Sequence, residues 1–133
     1  MDYKASLEVL EKMLKELQEE NITIPILVEG EKDIAALRKL GIAGTVLSVN
    51  AGMSLISFCD MIARQYTEII LLMDWDRRGG YICRIIRKNL EGRVRCNLRY
   101  REIVAKHAMI RTVEGLPSWL ETLNRKITEK FNA

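Results

Sequence analysis

Leu71-Leu72-Met73-Asp74-Trp75-Asp76-Arg77-Arg78-Gly79-Gly80 is the stretch that decides the fold of this 133-residue chain. The apolar run from Ile69 to Met73 reads as a buried strand. It stops at two carboxylates one residue apart, followed by two arginines, two glycines and a new helical pattern. Side chains of an extended segment alternate faces, so Asp74 and Asp76 point the same way if the chain stays extended past the strand. Like charges at that distance call for a proton or a cation. A hard divalent ion with oxygen ligands, such as Mg2+, suits the pair.

Working outward, the same grammar repeats. Ile24-Pro25-Ile26-Leu27-Val28 is a short apolar strand whose Pro25 suits its beginning and not its middle, and it ends in Glu29-Gly30. A helix follows from Glu31 to Leu40, stopped by Gly41. Thr45 to Val49 is the next strand, with Asn50-Ala51-Gly52 as its turn, and Ser54 to Gln65 the next helix. Glu68 to Met73 is the third strand. After the glycines a helix from about Gly80 to Leu90 buries Ile82, Ile85, Ile86 and Leu90, and Val94 to Leu98 alternates like an edge strand. Arg99 to His107 reads as a short helix, Met109 to Val113 as either a loop or a short strand, and Pro117 opens a last helix to about Lys130. Ahead of all this, residues 3–20 form an amphipathic helix with Leu7, Leu10, Leu14 and Leu17 on one stripe. That stripe is read as covering the core, with a homodimer seam as the alternative. Alternating strands and helices predict right-handed βαβ units and a parallel sheet with helices on both faces. The expected organisation is an N-terminal helix, 1–21, packed on one α/β domain, 22–133.

Composition narrows the chemistry. The net charge is only +3, but residues 77–111 hold 11 basic side chains against Glu91 and Glu102, which makes that segment +9 and the remainder −6. Charge alone leaves open a polyanion partner and a merely solvated surface. No apolar run reaches the ~18 residues of a membrane span, so no membrane partner is expected. Cys59, Cys83 and Cys96 are odd in number and widely spaced, which fits a reducing cytoplasm rather than disulfides or zinc.

In an open parallel sheet, function gathers at the carboxyl ends of the strands, beside the point where strand order reverses. If the order is 2-1-3-4, as in flavodoxin-like sheets, Glu29 from the first strand meets Asp74 and Asp76 from the third. Three carboxylates suit Mg2+, with Glu29 free to act as general acid or base. Gly79-Gly80 and the following helix start would let backbone N–H groups approach a phosphate, and Arg77 and Arg78 would grip it. The structural alternative is that the acids cap the helix and pair with Arg77 or Arg78, and that Glu29 belongs to a charged turn. Arg84, Arg87 and Lys88 are candidates to track a phosphate backbone, or else a solvated helix face. Lys32 is a phosphate contact or an ion-pair partner of Glu29. Trp75 stacks on a base or packs over its own loop. His107 reads as structural or surface.

Together the two acidic segments resemble the Toprim domain of topoisomerases, bacterial-type primases, overcoming-lysogeny-type nucleases and the 5S ribosomal RNA maturation nuclease. The first motif stands as Ile26-Leu27-Val28-Glu29-Gly30-Glu31-Lys32-Asp33, the second as Leu71 to Gly79 with its Asp-x-Asp and following Gly. The resemblance covers roughly residues 24–100. It implies a single three-layer, Rossmann-like domain with a parallel sheet of about four strands in order 2-1-3-4, Mg2+ at Asp74 and Asp76, and an acid/base or metal role for Glu29. Mn2+ is an expected substitute. Topoisomerases continue the motif with Arg-Glu-Gly-Glu, and here Arg78 and Gly80 stand in place of both glutamates. Neither a tyrosine-bearing cleavage domain nor the further parts of a primase fit in this length. The chain is similar instead to small stand-alone Toprim proteins, a likeness extending loosely to Val113-Glu114-Gly115-Leu116-Pro117, and to the Toprim half of the 5S RNA maturation nuclease.

The expected function is Mg2+-dependent phosphoryl transfer on RNA or DNA, of nuclease type. The alternative is a non-catalytic, metal-assisted nucleic-acid-binding module within a larger complex, with a protein partner or a homodimer through the N-terminal helix. A haloacid-dehalogenase-type phosphatase also uses Asp-x-Asp, but after its first strand and followed by Thr or Val. A receiver domain needs a Lys on its last strand. Neither pattern is present.

Overall fold

The computed structural model describes residues 2–50 and 52–132. Ala51, in the expected Asn50-Ala51-Gly52 turn, lies outside the described residues. In chain order the elements are α1 (Tyr3–Glu20), β1 (Ile26–Val28), α2 (Glu31–Lys39), β2 (Val46–Ser48), α3 (Leu55–Gln65), β3 (Glu68–Leu71), α4 (Arg77–Leu90), β4 (Arg95–Asn97), α5 (Arg99–His107) and α6 (Leu116–Asn132). The four strands are parallel in the order β2-β1-β3-β4, as expected.

Both faces of the central strands β1 and β3 are buried, which is why they read as continuous apolar runs, while β4 at the edge alternates. Ile26, Val28, Ile70 and Leu72 pack with Leu10, Leu14 and Leu17 of α1, Leu37 of α2, Tyr100 and Val104 of α5, and Leu123 of α6. Leu27, Ile69, Leu71 and Met73 face the other way, onto Phe58, Cys59 and Ile62 of α3 and Cys83, Ile86 and Leu90 of α4. The strict alternation of partners is the period of two of an extended chain.

The stripe of α1 is absorbed by this core. Leu10 and Leu17 are fully buried within the chain, and burying each contributes about 1.5–3 kcal/mol. The seam expected as the alternative for a homodimer is therefore occupied by α5 and α6. Asn21 locks the end of α1 to the sheet, its Nδ2 donating to the carbonyls of Ile24 and Thr45, both at 2.9 Å.

One open reading is settled and one changes. Met109 to Val113 forms no strand and is a loop between α5 and α6. Helix α4 begins at Arg77 and not at Gly80, because Asp76 is its N-cap: Asp76 Oδ1 accepts the N–H of Gly79 at 2.8 Å. The two glycines are thus in the first turn. A Cβ on Gly79 would sit 1.7 Å from the carbonyl oxygen of Asp74. Glycine is required there because the helix start presses on the backbone of Asp74. No helix among the described residues is long and apolar enough to cross a membrane.

Candidate metal and phosphate site

The ends of β1 and β3 are tied by side chains. Glu29 is 9% exposed, and its Oε2 accepts the N–H of Asp74 at 3.0 Å. Its own carbonyl accepts Ser48 Oγ at 3.0 Å and the N–H of Asn50 at 3.3 Å, which fixes the β1 end against the β2 end. Asp74 Oδ1 accepts the N–H of Val113 at 2.9 Å. Arg101 reaches in from α5: its Nε donates to the carbonyls of Met73 and Asp74, both at 3.2 Å, and its Nη2 to Asp74 at 2.9 Å. The carbonyls leaving β3 have no further strand to pair with, and a guanidinium fork satisfies them.

This packing has an electrostatic consequence. Burial pushes the carboxyl of Asp74 up to about 6, helped by the Glu29 carboxylate beside it and by Asp76, while the Val113 N–H pulls the other way. Asp33, near the start of α2, reaches back to the N–H of Gly30 at 3.0 Å. Burial raises its pKa, against the Gly30 bond, and the charges of Asp74 and Glu114 add to the rise. Glu29, Asp33, Asp74 and Asp76 therefore lie at one sheet edge, and the Glu29–Asp74 pair is destabilised in its doubly charged form.

Glu29 and Asp74 thus meet as expected from two strand ends, and Asp76 lies within electrostatic reach of Asp74. The donor chemistry fits a hard divalent ion: carboxylates in excess, with one held above its ordinary range. The arrangement is less complete than the sequence implied. Among the described residues, no group of three or more His, Cys, Asp or Glu side chains stands ready to hold a metal ion. Asp76 is engaged as a helix cap, so the capping alternative holds for one acid of the pair.

The basic candidates scatter around this point. Arg78 Nε lies 3.8 Å from Glu29 Oε1, so Arg78, and not Lys32, is the cation beside Glu29. Arg77 is exposed at the start of α4. Lys32 lines a separate hollow of about 330 Å³ with Lys39, Glu114 and Pro117. Arg84, Arg87 and Lys88 are exposed along α4. Trp75 is bonded into the α5–α6 loop and not over its own: its backbone N–H donates to the carbonyl of Arg111 at 3.0 Å and its indole N–H to the carbonyl of Ile110. His107 is the last residue of α5. Burial pushes the thiols of Cys59, Cys83 and Cys96 up, as core residues rather than nucleophiles. Sequence reading missed Arg101 and the Val113 N–H. Arg101 was visible only as one more charge in the basic segment, and nothing local marks Val113.

Comparison with known proteins agrees with this geometry. The Toprim domain matches residues 24–106. A UPF0292 protein of Thermoplasma volcanium is 39% identical over 110 residues, covering 82% of this chain and 92% of that one. One from Methanocaldococcus jannaschii is 30% identical over 121 residues, covering 89% and 91%. Among solved structures, a protein from Aquifex aeolicus superposes with a TM-score of 0.68 at 27% identity, over 77% of this chain and 94% of that one. With Glu29 and Asp74 joined across a 2-1-3-4 sheet, the chain belongs to the Toprim domain family, whose members are associated with metal-dependent chemistry on nucleic acids.

Proposed function

We propose that this protein carries out Mg2+-dependent phosphoryl transfer on nucleic acid, cleaving phosphodiester bonds of RNA or DNA. The observation that carries the reading is the contact between Glu29 and Asp74 at the two strand ends, where burial first and the Glu29 carboxylate after it push the pKa of Asp74 up to about 6. A carboxylate pair that repels itself is stabilised by a divalent cation. Asp74 and Asp76 would hold that ion, with Glu29 as a further ligand or as the group that takes or gives a proton. When bound, Mg2+ or Mn2+ supplies positive charge to the phosphoryl oxygens. Arg77 and Arg78 flank the carboxylates and would orient a phosphate; Arg78, already 3.8 Å from Glu29, would exchange that partner for it. The cysteine usage fits a reducing compartment such as the cytoplasm.

The test is cleavage of labelled RNA and DNA, single- and double-stranded, with Mg2+ or Mn2+. The expected result is metal-dependent cleavage that falls at least about 100-fold in Asp74→Asn. Metal-independent cleavage, or cleavage unchanged in Asp74→Asn, would sink the assignment.

One observation favours a second reading, a metal-assisted binding module without catalysis: the acids are not preassembled as a three-ligand set. Nucleic-acid binding strengthened by Mg2+, with no cleavage of any substrate, would select it.

A further inference from the structure

Helix α4 turns a second face away from the carboxylates. Gly79, Cys83, Ile86 and Leu90 are its buried residues. Opposite them, at steps of four, three and four, stand Arg77, Tyr81, Arg84 and Lys88, all exposed. At 3.6 residues per turn these four form one ridge, about 16 Å long at 1.5 Å per residue. The ridge starts at the residue after Asp76, so it leads directly away from the candidate site.

Tyr81 is the unusual member. It is 57% exposed, one of the few large apolar side chains left in solvent. The guanidinium of Arg84 stands 5.9 Å from its ring centroid, within cation–π range. Beyond Arg84 the ridge borders a shallow groove of about 490 Å³, its rim formed by Arg84, Arg87, Lys88 and Glu91 and its floor by Val94 and Cys96. Trp75, the aromatic expected to stack on a base, is bonded into the α5–α6 loop instead.

We propose that the outer ridge of α4 is a track for an unpaired nucleic-acid strand, with Tyr81 as its base-stacking residue and Arg77, Arg84 and Lys88 as its phosphate contacts. The inference rests on the nucleic-acid reading above and adds the substrate class: single-stranded, not duplex. Positive charge alone would serve either form. An exposed ring among those charges favours the unpaired form, because only a base out of its stack offers a free face to it. The convex ridge gives phosphates on one strand successive cations at helical spacing. RNA and DNA share this chemistry, so the strand type is left to the experiment.

The experiment is fluorescence anisotropy of the whole chain with labelled single-stranded RNA, single-stranded DNA and a hairpin duplex, each about 12 nucleotides per strand. It is run in chelator, so that binding is read without cleavage. The expected result is tighter binding of a single strand than of the duplex. Tyr81→Ala should weaken it roughly 10-fold or more, while Tyr81→Phe binds like the wild type. Arg84→Gln should lower the slope of log affinity against log salt by about 0.7. Tyr81 and Arg84 are exposed, so folding of these variants is not at stake, and circular dichroism checks it. Equal binding by Tyr81→Ala and wild type, preference for the duplex, or no binding of either single strand would each overturn the proposal. The outcomes separate the two readings. Tyr81-dependent binding without metal-dependent cleavage keeps the track and removes the nuclease. Asp74-dependent cleavage with Tyr81→Ala unaffected does the reverse.

Discussion

The carboxyl edge of the sheet and the outer ridge of α4 lie side by side and are built in opposite ways. At the edge, each polar group is held by the chain: Glu29 by the Asp74 N–H, Asp74 by the Val113 N–H, Asp76 by the Gly79 N–H, and the β3 carbonyls by Arg101. On the ridge, Arg77, Tyr81, Arg84 and Lys88 stand in solvent, and Arg84 and Tyr81 are in cation–π contact. The edge is tied down by hydrogen bonds and electrostatically uncomfortable; the ridge is exposed. A division of labour follows from the physics. Fixed groups aimed at one point suit chemistry, and flexible cations on an exposed helix suit a polymer of variable sequence.

The sharpest way to break this comparison is at Gly79 and Gly80, neighbours in the same helical turn. Gly79→Ala places a methyl 1.7 Å from the Asp74 carbonyl oxygen. Backbone cannot yield cheaply, so the variant should lose about 3 kcal/mol or more, or fail to fold. Gly80→Ala meets nothing nearer than an Arg101 nitrogen at 3.6 Å, and should gain roughly 0.5–1 kcal/mol from helix propensity. Urea denaturation reads both. Equal effects at the two sites would mean that the helix does not press on β3 as described.

Arg101 comes next. Its guanidinium makes three hydrogen bonds to two carbonyls, and charged hydrogen bonds contribute more than neutral ones. Arg101→Met should cost about 2 kcal/mol by loosening the β3 end, and weaken Mn2+ binding along with it. A destabilised variant with unchanged Mn2+ affinity would show that Arg101 supports the fold without setting the site.

These residues also mark how far the sequence could be read. The apolar runs, the helix stripes and the acids at strand ends were legible because each is a local pattern with a fixed period. The sheet order came from the resemblance and matches the structure. The start of α4 was misplaced by three residues because a Gly-Gly pair reads as a breaker. Only the tertiary contact with Asp74 explains a glycine inside the turn. Arg101 lies 27 residues from Asp74, and Val113 lies 39. Nothing in either local sequence points back to the site, so those partners needed the fold.

A smaller effect separates charge from structure at Asp74. With its folded pKa raised from 3.8 to about 6, this group makes its full stabilising contribution to the metal-free protein below about pH 4. That contribution is lost as pH rises through about 6, because the folded state binds the proton more tightly than the unfolded state. Asp74→Asn keeps the acceptor for Val113 and removes the titration. Above pH 6 its Tm should therefore exceed that of the wild type by a few degrees, about 3 °C, and the difference should vanish near pH 4. Mn2+ at pH 7.5 should raise the Tm of the wild type and not of Asp74→Asn. A variant less stable than wild type at pH 7.5 would mean that the carboxylate is already compensated within the chain.

The smallest expected change is at the seam between the two regions, Arg78. Its Nε is 3.8 Å from Glu29 Oε1, with the arginine side chain 76% exposed. An exposed pair of that length contributes about 0–1 kcal/mol, so Arg78→Gln should leave Tm nearly unchanged. Its effect on the site has a definite sign nonetheless. Arg78 is the one cation salt-bridged to these acids among the described residues, and removing it makes the carboxylate cluster more negative. Mn2+ affinity should rise a few-fold, about two- to threefold at low salt, and the gain should fade as salt screens it. Affinity for a phosphate-bearing ligand should move the other way. Arg78 would then be a gate between cation and phosphate, standing on Glu29 until either arrives. If Mn2+ and phosphate affinities fall together, Arg78 is a structural prop of the edge and belongs with Arg101.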